Sequence, residues 1–368
     1  MKNFDVIIVG AGTAGLMLAR ELSKSKKQVL VLDRKKQLLE FSFNTLASFI
    51  NLDEFNLSNK VVAQKINKIT FHSNSVKSSL KADLYTLDKK KVHEELLETI
   101  DSKFVTIQLN TNIKSIFTDD NHHFTSVIDQ NKKEYSATIF VDASGTNGVL
   151  SKKVGLLPKK TQLATGVEYN VKYKGNTKEI FLLIGEIYQG GYGWIFPLKN
   201  NRAIIGFGTF DEAIVKDLKN RLHQILEIPM IKKLVEKDND KVEGGSIPIT
   251  PVIEEFVLNN LVCVGDSVSQ VNPIVGEGYK FIFESAIMAS KAIILALESN
   301  DLTKLKDYEV LWRNRFSENY KRSKRSQERF FKYSQNNFVM DFIVFLSKLI
   351  PSKRSIRSLS GEYGLEQE

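Results

Sequence analysis

The chain has 368 residues, 42% of them apolar, and a formal net charge of +9, which excludes a single small domain and allows a sizeable core. Its one cysteine, Cys263, excludes an intrachain disulfide and a cysteine-held metal, and suits a reducing, cytoplasmic setting. No basic-then-apolar leader opens the sequence and no run of about twenty apolar residues interrupts it, so neither a signal peptide nor a spanning helix is expected.

Asp5 to Val9 is a short apolar run, read as a buried strand, that leads into Gly10-Ala11-Gly12-Thr13-Ala14-Gly15. A helix follows with Leu16, Ala19 and Leu22 on one face, and Gln28 to Asp33 reads as a second strand ending in an acid. This is a βαβ unit with a glycine-rich first turn, an arrangement that binds dinucleotides. Gly10 allows the tight turn, Gly12 lets a pyrophosphate approach the backbone, and Gly15 lets the helix pack on the sheet. The helix N-terminus offers unpaired N–H groups and partial positive charge to the phosphates. Asp33 can accept hydrogen bonds from ribose hydroxyls and would repel the 2′-phosphate of NADP. This stretch alone does not separate FAD from NAD.

Arg34 to Leu57 carries Phe41, Phe43 and Phe49 among polar residues and reads as a loop with a short helix bordering a ligand. Strand-like runs fall between Val61 and Leu87. Asp88 then caps a helix to about Ile100, with Val92, Leu96 and Leu97 on its apolar side. Val105 to Tyr135 alternates and turns, with hairpin tips at Asp119-Asp120-Asn121 and Asn131-Lys132-Lys133. Thr138 to Asp142 is another buried strand, continuing into Ala143-Ser144-Gly145. Leu163 to Phe210 reads mostly as strands and Asp211 to Glu236 as helix broken at Pro229, so a β-rich block interrupts the βα pattern. Leu261 to Asp266 returns to a buried strand followed by glycine, and a long helix runs from Tyr279 to Glu298. Leu302 to Lys348 is helical and increasingly basic around Lys321-Arg322-Ser323-Lys324-Arg325. Phe338 to Ile350 is an apolar segment suited to a membrane interface or to packing on the protein.

Separated motifs now agree. The N-terminal βαβ unit, Asp142-Ala143-Ser144-Gly145 and Val264-Gly265-Asp266 resemble the three FAD fingerprints of the flavoprotein monooxygenase-like superfamily, of para-hydroxybenzoate hydroxylase type. Tyr192-Gly193-Trp194-Ile195-Phe196-Pro197, followed by Gly206-Phe207-Gly208, resembles the signature of geranylgeranyl reductases. Asn272-Pro273 with Gly276-Glu277-Gly278 fits the same family. The resemblance implies FAD, bound by Gly10, Ala11, Gly12, Thr13, Ala14, Gly15, Asp33, Arg34, Lys89, Ala143, Gly145, Asp266, Gly276 and Gly278. Asp266 would meet ribityl hydroxyls or lie near the pyrophosphate. The N–H groups of Gly276 and Gly278 would face the pyrimidine end of the isoalloxazine, where negative charge builds on reduction. Lys89 stands where relatives commonly carry arginine, Thr13 where proline is frequent. Glu40 to Ser48 lacks the cysteine that many archaeal reductases carry there. Tyr192, Trp194 and Phe196 share a strand face, and with Pro197 they would line an apolar tunnel for a polyprenyl chain.

The implied fold is α/β. A Rossmann-like FAD-binding domain would come from residues 1–160 and 245–300, an inserted β-rich (α+β) substrate domain from 161–244, and a helical C-terminal region from 301–368. The implied activity is reduction of carbon–carbon double bonds of a geranylgeranyl-type lipid by hydride transfer from reduced FAD. No residue is singled out as catalytic, although Tyr192 is chemically able to donate a proton. With one G-x-G-x-x-G motif, electrons would come from a ferredoxin-like protein or NAD(P)H. The expected location is cytoplasmic with peripheral membrane contact, and nucleic-acid binding is not expected. An FAD-dependent hydroxylase of an apolar substrate, a redox-neutral lycopene-cyclase-like enzyme and a non-catalytic flavin-binding scaffold stay open as alternatives.

Overall fold

In the computed structural model, which describes residues 4–158, 161–249, 253–276, 278–360 and 362, the buried apolar runs of the sequence lie side by side. Glu277 of the glycine motif lies outside the described residues. The first part of the chain forms β1 (Phe4–Val9), α1 (Thr13–Lys24), β2 (Val29–Leu32), β3 (Thr45–Ser48), β4 (Val62–His72), β5 (Lys77–Asp88), α2 (Lys89–Glu98), β6 (Val105–Gln108), β7 (Ile113–Thr118), β8 (Phe124–Asp129) and β9 (Glu134–Asp142). The middle forms β10 (Leu163–Tyr173), β11 (Glu179–Leu183), β12 (Gly191–Pro197), β13 (Arg202–Thr209), α3 (Glu212–Val215), α4 (Leu218–Glu227), α5 (Pro229–Leu234), β14 (Val235–Glu236) and β15 (Val242–Pro248). The remainder forms β16 (Val257–Leu258), β17 (Leu261–Cys263), α6 (Tyr279–Ser299), α7 (Asp307–Tyr333), α8 (Asn337–Ser347) and α9 (Ser352–Leu359).

Two sheets organise these elements. The first has the order β16-β17-β9-β1-β2-β6, with β8 added to β9 and β7 to β8. Its centre is parallel: Val6 of β1 pairs with Val29 of β2 and with Ile139 of β9. Parallel strands are covered on both faces, which is why these runs are apolar without alternation. α1 packs against α6, and Leu16, Leu22, Phe281 and Phe283 are fully buried. Each such phenylalanine contributes roughly 1.5–3 kcal/mol of burial free energy. Cys263 lies fully buried in β17, and burial raises its thiol pKa.

The second sheet has the order β14-β10-β13-β12-β11-β4-β5-β3, and β15 shares the outer edge of β10 with β14. This corrects the sequence-based boundary. Residues 161–244 do not build the second sheet alone: β3, β4 and β5 join it from the N-terminal segment, through parallel pairing of β4 with β11. The short helix expected between Arg34 and Leu57 is also absent; Thr45–Ser48 instead form β3, paired with Tyr85–Asp88 of β5. Both differences come from pairing partners remote in sequence.

Asp88 caps α2 as expected, its carboxylate accepting the Lys91 N–H at 3.2 Å, and Pro229 opens α5. α7 is pinned to the first sheet by Glu309, whose carboxylate accepts the N–H groups of Phe256 (2.7 Å) and Val257 (2.8 Å). The basic run on α7 is only partly a solvent face. Ser323 is buried and the Lys324 ammonium donates to Ile249 O, while Lys321, Arg322 and Arg325 are exposed. α8 turns Met340 and Val344 inward and leaves Phe338, Phe342 and Phe345 exposed at one-turn spacing, with Leu349 exposed just beyond its end. Among the described residues no helix is long and apolar enough to cross a membrane.

Candidate active site

The glycine-rich turn, the end of β2 and the loop after β9 enclose a cleft of about 320 Å³. Gly10 has φ +113°, and a Cβ there would stand 2.3 Å from the Ala143 carbonyl oxygen, so only glycine lets the first and second fingerprints meet. Gly15 is there for packing, since its Cβ would fall 1.9 Å from Gly10 O. A Cβ on Gly12 would meet nothing within 4 Å, so the reason for a small residue lies in the cleft it borders and not in the protein. No side chain caps α1 at Gly12, which leaves its first-turn N–H groups facing that space.

Asp33 closes the opposite wall. Its carboxylate accepts the Ala11 N–H at 2.6 Å and the Lys35 N–H at 2.8 Å, and each oxygen keeps a further lone pair. Ala11 is itself fully buried and contributes backbone, while Thr13, Ala14 and Arg34 line the cleft. The Thr13 hydroxyl pairs with His93 Nε2 at 3.0 Å; burial pushes this histidine down to about 3, so its ring is neutral. Ala143 and Gly145 line the cleft on a loop held by Asp142. That fully buried carboxylate accepts Ser144 N–H (3.0 Å), Ser144 hydroxyl (2.5 Å), Leu150 N–H (2.8 Å) and Ser151 N–H (2.7 Å).

Lys89 and Asp266 face the cleft together. The Lys89 ammonium lies 4.0 Å from the Phe43 ring centroid and 5.1 Å from that of Phe41. Burial, then the neighbouring Lys35, pushes Lys89 down to about 8, opposed by Asp266 and Glu168. Burial raises Asp266 to about 6, opposed by Lys89. Of the two glycines expected at the flavin ring, Gly276 lines the apolar cavity beside the cleft, but its N–H is already engaged. The Gly276 N–H donates to Asn272 O at 2.9 Å, because the turn closes on itself. Gly278 is the N-cap of α6 and borders neither cavity, its carbonyl accepting Ile282 N–H at 2.7 Å.

A second cavity, about 220 Å³ and mostly apolar, adjoins the cleft and shares Phe43 and Ile247 with it. Tyr192, Trp194 and Phe196 line it, as their shared face requires. Trp194 and Phe196 stack at 6.0 Å. The Trp194 indole lies across Gly206, where a Cβ would come within 2.4 Å of the ring, and Gly208 and Gly166 lie beneath its far edge. The paired glycines of Gly206-Phe207-Gly208 therefore make the bed for this tryptophan. Pro197 is off the cavity, one residue out of phase on the strand, with its carbonyl accepting the Thr86 hydroxyl at 2.8 Å. The Tyr192 hydroxyl donates to Val275 O at 2.5 Å, and burial raises its pKa.

One residue of this wall escaped the sequence reading. Glu168 on β10 is 6% exposed and lines the apolar cavity. Its Oε2 accepts the Trp194 Nε1–H at 3.1 Å, and its buried Oε1 has no hydrogen-bond partner. Burial pushes Glu168 up to about 8, against the pull of the Trp194 hydrogen bond. The available signal was phase: Ala164 and Gly166 precede it on the same strand face, opposite Val167, Tyr169 and Val171 in the core.

Residues 5–344 match the family model described as lycopene cyclase protein. The chain belongs to the lycopene cyclase protein family. Its relatives include the digeranylgeranylglycerophospholipid reductase of Methanococcus aeolicus, 26% identical over 333 residues spanning 87% of this chain and 83% of that one. A geranylgeranyl bacteriochlorophyll reductase-like structure from Thermoplasma acidophilum aligns with a TM-score of 0.86 at 20% identity, covering 99% of this chain and 98% of that one. A variant of Klebsiella pneumoniae HpxO complexed with FAD aligns with a TM-score of 0.77 at 14% identity, covering 98% and 100%. This family member is geranylgeranyl-reductase-like in sequence and has the monooxygenase-like flavoprotein fold, in agreement with its motifs.

Proposed function

We propose that this chain is an FAD-dependent oxidoreductase that reduces carbon–carbon double bonds of an isoprenoid lipid. The observation that carries this reading is the apolar, aromatic-walled cavity beside the dinucleotide cleft, with Phe43 and Ile247 lining both. When bound, reduced FAD supplies the hydride. The turn from Gly10 to Gly15, Asp33, Arg34, Lys89, Ala143, Gly145 and Asp266 hold the cofactor. Tyr192, Trp194 and Phe196 orient the alkene and keep water away from it. A ferredoxin-like protein or NAD(P)H returns electrons from outside. A redox-neutral lycopene-cyclase-like reaction is the second reading, favoured by the family-model match. The exposed phenylalanines of α8, with Lys348, Lys353 and Arg354 beside them, are read as a peripheral contact with anionic membrane. Leu359 of α9 lines the cavity, so this surface adjoins the lipid's binding site.

Anaerobic stopped flow tests the reading. Reduced, FAD-loaded protein should be reoxidised by a geranylgeranyl lipid in anionic vesicles, with hydrogen gained by the lipid. Flavin that stays reduced until oxygen is admitted overturns the reductase reading, and a cyclised product with flavin unchanged supports the second. Phe338→Asp with Phe342→Asp should slow reoxidation from vesicles by about tenfold or more and spare detergent-dispersed lipid. Equal loss in both would count against the membrane contact.

Lys89 also makes cofactor binding depend on pH. Its depressed pKa, about 8, means that it sheds its proton in mildly alkaline solution. The pyrophosphate would favour the charged form, so binding takes up a proton above that pH. FAD affinity should fall roughly tenfold for each unit by which the cofactor raises this pKa, the loss developing as pH rises beyond about 8. Titration of flavin fluorescence would show it, and Lys89→Met should bind weakly with a flat profile. A sloping profile in that variant would remove Lys89 from the account.

A further inference from the structure

Three adjacent strands place Glu168, Gly206 and Trp194 in one row across the second sheet: Glu168 pairs with Gly206, and Gly206 with Trp194. The missing side chain at Gly206 lets the indole lie over the strand and reach the carboxyl on the far side. One carboxyl oxygen is thereby fixed. The other is buried, unpartnered and carried by a residue that lines the apolar cavity. An acid built into a dry aromatic pocket has a large desolvation cost in its charged form and a small one as a neutral donor.

We propose that Glu168 is the proton donor of this site, delivering the carboxyl proton to the second alkene carbon, with Trp194 as its positioning residue. The proposal rests on the reductase reading given above. In the step, the carbon–carbon π bond breaks and two C–H bonds form. One carbon takes a hydride, with its electron pair, from the reduced cofactor. The other takes the Glu168 proton. The lipid is reduced by two electrons, the cofactor is oxidised, and Glu168 is left as a carboxylate that keeps the Trp194 hydrogen bond and regains a proton from water.

The groups that set its titration are few. Glu243, its register partner on β15, disfavours the charged form, while Lys89 on α2 and the Trp194 N–H favour it. Glu168 holds its proton below about 8 and loses it above. The rate of lipid reduction should therefore fall as pH rises through that region, the sign expected of a required acid. Lys89 also acts on Asp266, which lies in the cleft, so the acid sits within electrostatic reach of the cofactor wall.

The test uses the FAD-loaded full chain and Glu168→Gln. Infrared spectra of the oxidised protein should show a protonated carboxylic carbonyl band at neutral pH that disappears in alkali and is missing from the variant. A band that persists in Glu168→Gln overturns the assignment without reference to turnover. In single turnover the variant should bind FAD and lipid normally but reduce lipid about a hundredfold or more slowly, with the alkaline fall abolished. Trp194→Phe, which removes a hydrogen bond to the charged form, should move the alkaline break to higher pH. It keeps the idea falsifiable if the first variant folds poorly. Wild-type protein inert toward every prenyl lipid sinks the reductase reading, and this step with it. Wild type and Glu168→Gln reducing lipid equally fast sinks the proton donor alone.

Discussion

Gly12→Val should leave the protein folded and strip it of its cofactor. Gly12 has φ −83° and ψ −169°, extended backbone that valine adopts readily, and a Cβ there meets no protein atom within 4 Å. The cost to the apo fold is limited to a poorer helix N-cap, at most about 1 kcal/mol, or a fall in Tm of about 2–4 °C. The added methyls would point into the cleft, over the uncapped first turn of α1, where a pyrophosphate must approach the backbone. Flavin affinity should drop at least about a hundredfold, near 2.7 kcal/mol. Calorimetry on apo protein and fluorescence titration with FAD separate the two effects. A variant that melts normally and still retains flavin would move the phosphates away from this turn.

Asp142→Ala should do the reverse and attack the fold first. This carboxylate is fully buried and satisfies three backbone N–H groups and one hydroxyl. Alanine would leave these donors without an acceptor. Each orphaned donor costs about 1–3 kcal/mol, so a loss of at least about 4 kcal/mol is expected, a large part of an ordinary domain's stability. The loop it holds carries Ala143 and Gly145, so flavin binding should fail together with the fold. Urea unfolding of the variant checks this, and a loss below about 1 kcal/mol would show that the loop is held by something else.

The contrast between these positions indicates what the sequence could disclose. The parallel strands β1, β2 and β9 were legible because burial on both faces makes their central runs, residues 6–9, 29–32 and 139–141, apolar without alternation. Gly10 and Gly15 were legible because their spacing records two close backbone approaches. The second sheet was only half legible. β3 and β4 take their places from pairing partners far along the chain, and no local window contains that information. Pro197 belonged to a recognisable motif but falls on the wrong phase of its strand. Gly276 was rightly placed near the cavities, yet its N–H is already used by its own turn. Glu168 was hidden for a different reason: an acid within a strand ordinarily reads as a solvent-facing residue. Its partner, the Trp194 indole, reaches it only because the strand between them carries a glycine at the crossing.

The parallel pairing of β4 with β11 also governs how the molecule comes into being. Glu179 must find Lys68 across the whole of residues 89–162, which build most of the outer strands of the other sheet. Closing so long a loop costs entropy before the contact can stabilise anything, which places this step late and makes it slow. During synthesis the β4–β5 hairpin emerges with an open strand edge well before β11 exists, and such an edge invites pairing with another chain. Lys65 and Lys68 on β4, with Lys77 and Lys81 on β5, put positive charge along the hairpin while it waits. The two sheets must therefore mature together, and a fragment beginning after residue 160 would present β11 with its central neighbour missing.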